Sequence, residues 1–179
     1  KEMFGEMLFT HFGVSGPIIL TLSRDIAKWL REGKTVELSL NLKPALTKEQ
    51  LDKRICRDFE KYSRKQIKNA LGDLLPSKMI STVIDLAFID ENKFVNQISK
   101  AERERLVGLL QDMVMTVTKT RPLSEAIVTA GGISTKEINP KTMESKLIKD
   151  LYCVGEVVDV DAFTGGYNLQ AAFSMGFVA

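Results

Sequence analysis

The apolar residues of this chain change their period twice, and those changes limit the folds open to it. From Thr35 to Leu42, the residues Val36, Leu38, Leu40 and Leu42 alternate with Thr35, Glu37, Ser39 and Asn41, the period-two pattern of a strand with one buried face. Pro44 ends it. At Thr47 the spacing becomes helical: Thr47 and Gln50 form a capping-box pair, and Leu51, Ile55, Phe59 and Tyr62 recur three or four residues apart. Residues 67–72, 77–88 and 93–112 continue in that style, with Ser99 and Glu102 as a second capping box ahead of Leu106, Leu109, Leu110 and Met113. At Val114 the alternation returns through Met115, Thr116, Val117 and Thr118. The turn signal Arg121-Pro122 follows, then a further extended run, Ala126 to Thr129.

Strands on both sides of a helical block predict a mixed α+β fold: a β-rich, barrel-like domain over residues 1–45 and 113–140, interrupted by a helical insertion over 46–112. Near the start, residues 6–12 are apolar and aromatic between Gly5 and Gly13, which predicts a buried strand. Ser15 and Pro17 then open a helix expected to run to about Arg31 and to stop at Gly33. Residues 141–179 follow neither pattern. They hold a short strand candidate, Leu151 to Val154, then Gly155-Glu156, a polar loop, and the stretch Thr164-Gly165-Gly166 leading into a helix. A single strand of this kind has no evident partner, and it predicts that 141–179 belongs to an incomplete domain.

Composition narrows the class. With 179 residues, 44% hydrophobic and 27% charged, the chain has the make-up of an ordinary globular protein with one domain or two small ones. A net charge of +2 does not by itself call for a polyanionic partner. Cys56 and Cys153 form no Cys-x-x-Cys or Cys/His cluster, so no metal site is expected, and a reducing cytoplasm is the expected setting. No apolar run approaches the roughly 18 to 20 residues of a membrane span, and no membrane partner is expected. Lys1-Glu2-Met3 lacks both a signal-peptide pattern and an initiator methionine, which predicts a fragment of a longer protein.

The paired glycines ahead of the last helix have a physical use. The first N–H groups of a helix have no intrahelical acceptor, and the helix dipole adds partial positive charge there. Glycine lets a ligand approach that backbone with no Cβ in the way. Thr164-Gly165-Gly166-Tyr167-Asn168 therefore suits a phosphate or a flat, acceptor-rich ligand; a tight turn before a helix is the plainer alternative.

Residues 128–176, VTAGGISTKEINPKTMESKLIKDLYCVGEVVDVDAFTGGYNLQAAFSMG, resemble the C-terminal signature of the bacterial flavoproteins labelled NAD(FAD)-utilising dehydrogenases. That group includes aminoacetone oxidase and belongs to the glutathione-reductase-like class of FAD enzymes. Residues 8–24, LFTHFGVSGPIILTLSR, resemble a second signature of the same family. The resemblance implies FAD as cofactor of the intact protein, hydride or electron transfer with a small-molecule substrate, and a Rossmann-like FAD domain. The N-terminal half of that domain, with its Gly-x-Gly-x-x-Gly loop, is absent here. That missing half of the same protein is the implied partner, and 141–179 is the implied C-terminal return to the FAD domain. Whether NAD(P) is used stays open.

The resemblance also assigns roles. Gly155-Glu156 stands where the wider class carries a Gly-Asp whose carboxylate accepts hydrogen bonds from the FAD ribityl hydroxyls. Thr164, Gly165, Gly166, Tyr167 and Asn168 would set backbone N–H groups at the flavin pyrimidine edge. Thr129-Ala130-Gly131-Gly132 either brings backbone close to the ring system or substrate or makes a plain turn. No catalytic residue is assigned. His11, the one histidine, reads as a hydrogen-bonded residue of a buried strand rather than a general base. Ser15 reads as a helix cap, and Cys153 as an inert thiol in a core strand. Two rival classes remain, a noncatalytic interaction module and a nucleic-acid-binding helical block. For the latter, Lys53, Arg54, Arg57, Lys61, Arg64, Lys65 and Lys68 outnumber Glu49, Asp52, Asp58 and Glu60, but the acids are interleaved and aromatics few, the pattern of a solvated helix face.

Overall fold

The structure is a computed structural model that describes residues 1–163 and 166–179. The chain divides into two compact units: Lys1–Val36 with Thr118–Ala179, and Glu37–Val117. The fold is mixed α and β. Among the described residues the strands form two two-stranded sheets, and no barrel closes.

In the first unit, β1 (Leu8–Thr10) and β2 (Gly13–Ser15) form an antiparallel hairpin that pairs Leu8 with Ser15, Phe9 with Val14 and Thr10 with Gly13. The expected buried strand over 6–12 is thus a short, exposed hairpin arm, with Leu8 60% and Phe9 44% exposed. Two three-residue strands make no sheet face for a core to lie against. Helix α1 (Pro17–Arg31) begins with Pro17 in its first turn, as expected, but the cap position is Gly16 and no side chain caps it; Ser15 lies in β2 instead.

The second unit is built on local signals. Strand β3 (Val36–Leu40) leads to α2 (Lys48–Lys61), α3 (Ser77–Leu86) and α4 (Lys100–Gln111), and β4 (Met113–Val117) returns beside β3. Both expected capping boxes form: the Thr47 hydroxyl accepts from Gln50 N–H at 3.2 Å, and that of Ser99 from Glu102 N–H at 3.3 Å. Residues 67–72 hold only one 3-10 turn, Ile67–Asn69, and the region ahead of α4 another, Val95–Gln97. Leu51 and Ile55 of α2, Val83 and Ile84 of α3, and Leu106, Val107 and Leu110 of α4 are almost wholly enclosed together with Ile67 and Leu71. Each such side chain contributes about 1.5–3 kcal/mol by leaving water, so this cluster is the principal core.

The remainder of the first unit, from Thr118, is mostly irregular. Ala126 to Thr129 is not a strand, and Leu151 to Val154 contributes one isolated bridge, Glu144 with Tyr152. A second, smaller core joins Ile138, Met143, Cys153 and Val158, with Met175 of the last helix, α5 (Tyr167–Val178), packed against it. No helix among the described residues is long and apolar enough to cross a membrane.

Candidate functional site

The glycine-bearing segments singled out by sequence converge in the first unit. Ile133 N–H donates to Val157 O at 2.8 Å and Asp159 N–H to Ile133 O at 2.8 Å, which lays 131–133 alongside 157–159. Gly131 N–H donates to the Asp159 carboxylate at 3.1 Å. Gly132 has φ +140, and a Cβ there would run into the carbonyl oxygen of Val157. Its missing side chain is therefore accounted for by neighbouring backbone within the unit.

Gly155 and Glu156 lie in a 3-10 turn, Gly155–Val157, that packs against α5. A Cβ on Gly155 would stand 3.8 Å from the Ala172 side chain, an ordinary contact. The Glu156 side chain is exposed and has no hydrogen bond or ion pair among the described residues. Its carboxylate is an acceptor without a donor.

Gly166 stands immediately before α5 in the left-handed region, φ +89 and ψ −9, and a Cβ there would meet nothing within 4 Å. Open space therefore lies in front of the backbone at the helix start. Gln170 N–H is the first to reach an intrahelical acceptor, Gly166 O at 2.9 Å, so the N–H groups of Tyr167, Asn168 and Leu169 face out of the helix end. The side chain of Asn168 is already engaged: its Oδ1 accepts from Ala162 N–H at 2.7 Å, and its Nδ2 donates to Ala162 O at 3.1 Å. Thr164 and Gly165, also assigned to this site by resemblance, lie outside the described residues.

Two acids that sequence reading missed hold the loop between the turn and the helix. Asp159 receives Gly131. Asp161 takes the Arg24 guanidinium from α1, Nε to Oδ2 at 2.8 Å, while Arg24 Nη1 donates to Asp161 O at 3.3 Å. The signal was available in Asp159-Val160-Asp161, alternating acids in a loop whose backbone donors need acceptors.

Other expected roles change. His11 is exposed at the hairpin turn, in edge contact with the Phe12 ring at 5.0 Å, rather than hydrogen-bonded in a buried strand. The Arg121 guanidinium lies over the Phe12 ring, 4.4 Å from its centroid, and is held by Glu125. Cys153 is buried, though in the small core rather than in a strand. Among the described residues no group of three or more His, Cys, Asp or Glu could hold a metal ion.

Helix α5 is mostly apolar and buries none of its residues: Leu169 is 64%, Phe173 72% and Phe177 92% exposed. A helix of this composition is normally enclosed.

Comparison with known proteins places these features in a family. The chain is 33% identical over 178 residues to the 3-dehydro-bile acid delta(4,6)-reductase of Clostridium scindens, covering 99% of this chain and 44% of that protein. It is 33% identical over 177 residues to the ribosomal RNA dihydrouridine synthase of Haemophilus influenzae, covering 99% and 42%, and 32% identical over 169 residues to that of Escherichia coli, covering 94% and 40%. The chain thus spans less than half the length of these curated relatives. Residues 1–128 match the family described as the HI0933-like protein barrel and H2TH domain, and the chain belongs to that HI0933-like family.

Proposed function

We propose that this chain is part of an FAD-dependent oxidoreductase, and that it supplies the flavin-ring side of a cofactor site completed by a separate N-terminal half. The observation that carries the reading is that the turn bearing the unengaged Glu156 carboxylate packs against α5, the helix that opens on the left-handed Gly166 backbone. An acceptor for ribityl hydroxyls and a row of outward N–H donors are the two features a flavin needs from protein at that end. The bare apolar surface of α5 is consistent with burial under the missing half.

When bound, the flavin supplies hydride transfer. In this chain, the Glu156 carboxylate would anchor the ribityl chain, and the N–H groups of Gly166, Tyr167 and Asn168 would stabilise negative charge developing at the pyrimidine edge. The Asn168–Ala162 clamp holds the start of α5, and the Arg24–Asp161 pair holds Asp161 to α1. Gly131 and Gly132 line the same segment from the other side, by way of Val157 and Asp159.

The names of the relatives support one reaction type. A delta(4,6)-reductase of a 3-dehydro-bile acid and a synthase of dihydrouridine both add a hydride and a proton across a carbon–carbon double bond. Reduction of an unsaturated carbonyl compound is the corresponding reading for this chain, and a small molecule and a uridine in RNA are the two substrate classes it admits.

The test is the visible absorption spectrum of the intact gene product beside that of this 179-residue chain. Flavin bands in the intact protein that are absent from the shorter chain are the expected result. A colourless intact protein that also fails to take up added FAD overturns the oxidoreductase reading and favours an interaction module.

A further inference from the structure

His11 is a polar side chain that the proposed flavin site does not use. With Phe12 it forms the turn between β1 and β2, closed by the pairing of Thr10 with Gly13 and by the Thr10 hydroxyl, which donates to Gly13 O at 3.1 Å. The chain has one histidine, and among the described residues its ring nitrogens have no hydrogen-bond or ion-pair partner. An imidazole carries at least one N–H donor in either protonation state, so this donor is exposed and uncommitted.

The surroundings of His11 are ordered without serving a core. The Phe12 ring meets the His11 ring edge-on, with centroids 5.0 Å apart and planes at 80°, and it carries the Arg121 guanidinium at 4.4 Å. Arg121 is pinned in turn by both Glu125 oxygens, Nε to Oε2 at 2.8 Å and Nη2 to Oε1 at 2.6 Å. None of His11, Phe12, Arg121 and Glu125 belongs to either hydrophobic cluster, and Phe12 stays 44% exposed. Ordering these side chains at a water-facing turn costs conformational entropy, which burial here does little to offset. The arrangement does fix the imidazole, which rests on a ring that is itself held.

Two segments join this turn to the residues assigned to the flavin. Strand β2 runs through Gly16 into α1, whose Arg24 reaches Asp161 at 2.8 Å. Arg121 and Glu125 stand on the stretch that leads into Gly131, whose N–H meets the Asp159 carboxylate at 3.1 Å. The turn and the loop 159–161 belong to one compact unit and are linked from both sides.

We propose that His11 is the hydrogen-bond donor to the carbonyl oxygen of the unsaturated substrate, with Phe12 and Arg121 as positioning residues for its ring. This rests on the oxidoreductase reading above. When hydride adds to the far carbon of a C=C–C=O unit, the π electrons move to the carbonyl oxygen, and an N–H donor there stabilises the charge as it forms. The resulting enolate takes a proton from water at the α-carbon, which balances the step: hydride from the reduced flavin, proton from water. A cyclic enone and the uracil ring both present this unit, so one donor serves either substrate class. A metal ligand is the poorer reading of His11, because among the described residues no group of three or more His, Cys, Asp or Glu could hold an ion.

The probe for the test is pentafluorophenolate, a flat anion ionised at neutral pH, whose oxygen stands in for the enolate oxygen. In the 179-residue chain the single imidazole gives one Cε1–H signal, and its displacement during a phenolate titration is read by NMR. In the intact protein the same titration is followed in the flavin bands, and reduction of 2-cyclohexenone is measured for kcat and KM. The parent is compared with His11→Phe and with His11→Gln, whose amide keeps an N–H donor; flavin content and circular dichroism melts verify each variant. The expected result is a saturating shift of the His11 signal in the chain. In the intact protein, His11→Phe should keep its flavin, bind phenolate roughly tenfold or more weakly and lose roughly a hundredfold in kcat, while His11→Gln recovers much of both. Unchanged phenolate affinity in His11→Phe overturns the proposal whether or not 2-cyclohexenone is turned over. Equal losses in the Phe and Gln variants also overturn it, because they would mark a packing role. A colourless parent protein sinks the oxidoreductase reading instead. The NMR titration then decides His11 alone: a saturating shift keeps it as a donor to an oxyanion, and an unmoved signal removes it.

Discussion

Asn168 clamps Ala162 from both sides, accepting its N–H at 2.7 Å and donating to its carbonyl at 3.1 Å. The second residue of α5 thereby ties the start of the helix to Ala162.

Replacing Asn168 with alanine removes both bonds. Two neutral hydrogen bonds contribute about 1–3 kcal/mol together, so Asn168→Ala in the intact protein is expected to retain flavin roughly tenfold less tightly. Asn168→Asp is expected to fare no better, since its carboxylate would keep the Ala162 N–H but repel the Ala162 carbonyl. The ratio of flavin to protein absorbance after exhaustive dialysis reads the effect, and full retention in both variants would separate this clamp from the cofactor site.

Gly132 and Gly166 have positive φ for different reasons, and alanine tells them apart. At Gly132 the new Cβ meets the carbonyl of Val157, so strain and overpacking add, and a loss of about 3 kcal/mol is expected. At Gly166 the Cβ meets nothing within 4 Å, so only the left-handed penalty of about 1–2 kcal/mol applies. Thermal melts of this chain should therefore show a clearly lower midpoint for Gly132→Ala than for Gly166→Ala. Flavin retention in the intact protein should fall for Gly166→Val, because the added side chain would fill the space that the proposed site gives to the flavin. The same midpoint for both alanine variants would contradict the packing difference.

What sequence could show and what it could not divides along contact range. Thr47 with Gln50 and Ser99 with Glu102 are three residues apart, so their capping boxes were readable and formed. The strand expected at residues 6–12 failed because apolar composition signals burial only when a partner surface exists, and the β1–β2 hairpin is too short to provide one. Gly131 and Gly155-Glu156 were legible as individual signals, but their common neighbourhood depends on the 131–133 and 157–159 backbones meeting, which no local pattern encodes. Likewise the ion pair of Asp52 with Arg103, 51 residues away, is a long-range contact that no local pattern encodes.

Glu102 gives the helical unit a defined acid sensitivity. The Lys93 ammonium, at 2.8 Å, and then the Ser99 N–H hold its carboxyl down at about 2 rather than 4.5. A carboxyl lower in the folded than in the unfolded chain stabilises fully above the unfolded value. Its contribution is therefore present above about pH 4.5 and declines as the pH falls towards 2. Glu102→Gln keeps an acceptor for the cap but abolishes the titration and the ion pair. At neutral pH it should cost about 1 kcal/mol, and between pH 4.5 and 2.5 its stability should fall less than that of the parent chain. Urea melts across that range check it; parallel pH profiles would exclude Glu102 as the source.

Two arginine–carboxylate pairs of the same chemistry are predicted to differ in strength because of where they lie. Arg103 Nε meets Asp52 at 2.7 Å between α4 and α2, with the two side chains 24% and 34% exposed, whereas Arg121 meets Glu125 at 2.6 Å with 51% and 45% exposed. Water screens the second pair more, because both of its side chains are about half exposed. The first pair joins helices already fixed by the Leu51, Ile55, Leu106 and Leu110 core, so less entropy is lost in forming it. Double-mutant cycles with Arg103→Met and Asp52→Asn should give a coupling near 1 kcal/mol, and those with Arg121→Met and Glu125→Gln about 0.3 kcal/mol. Coupling is the right quantity, because Arg121→Met also removes the Phe12 stacking, a loss that appears in both arms of its cycle and cancels. A larger coupling for the exposed pair would mean that geometry rather than burial sets these energies.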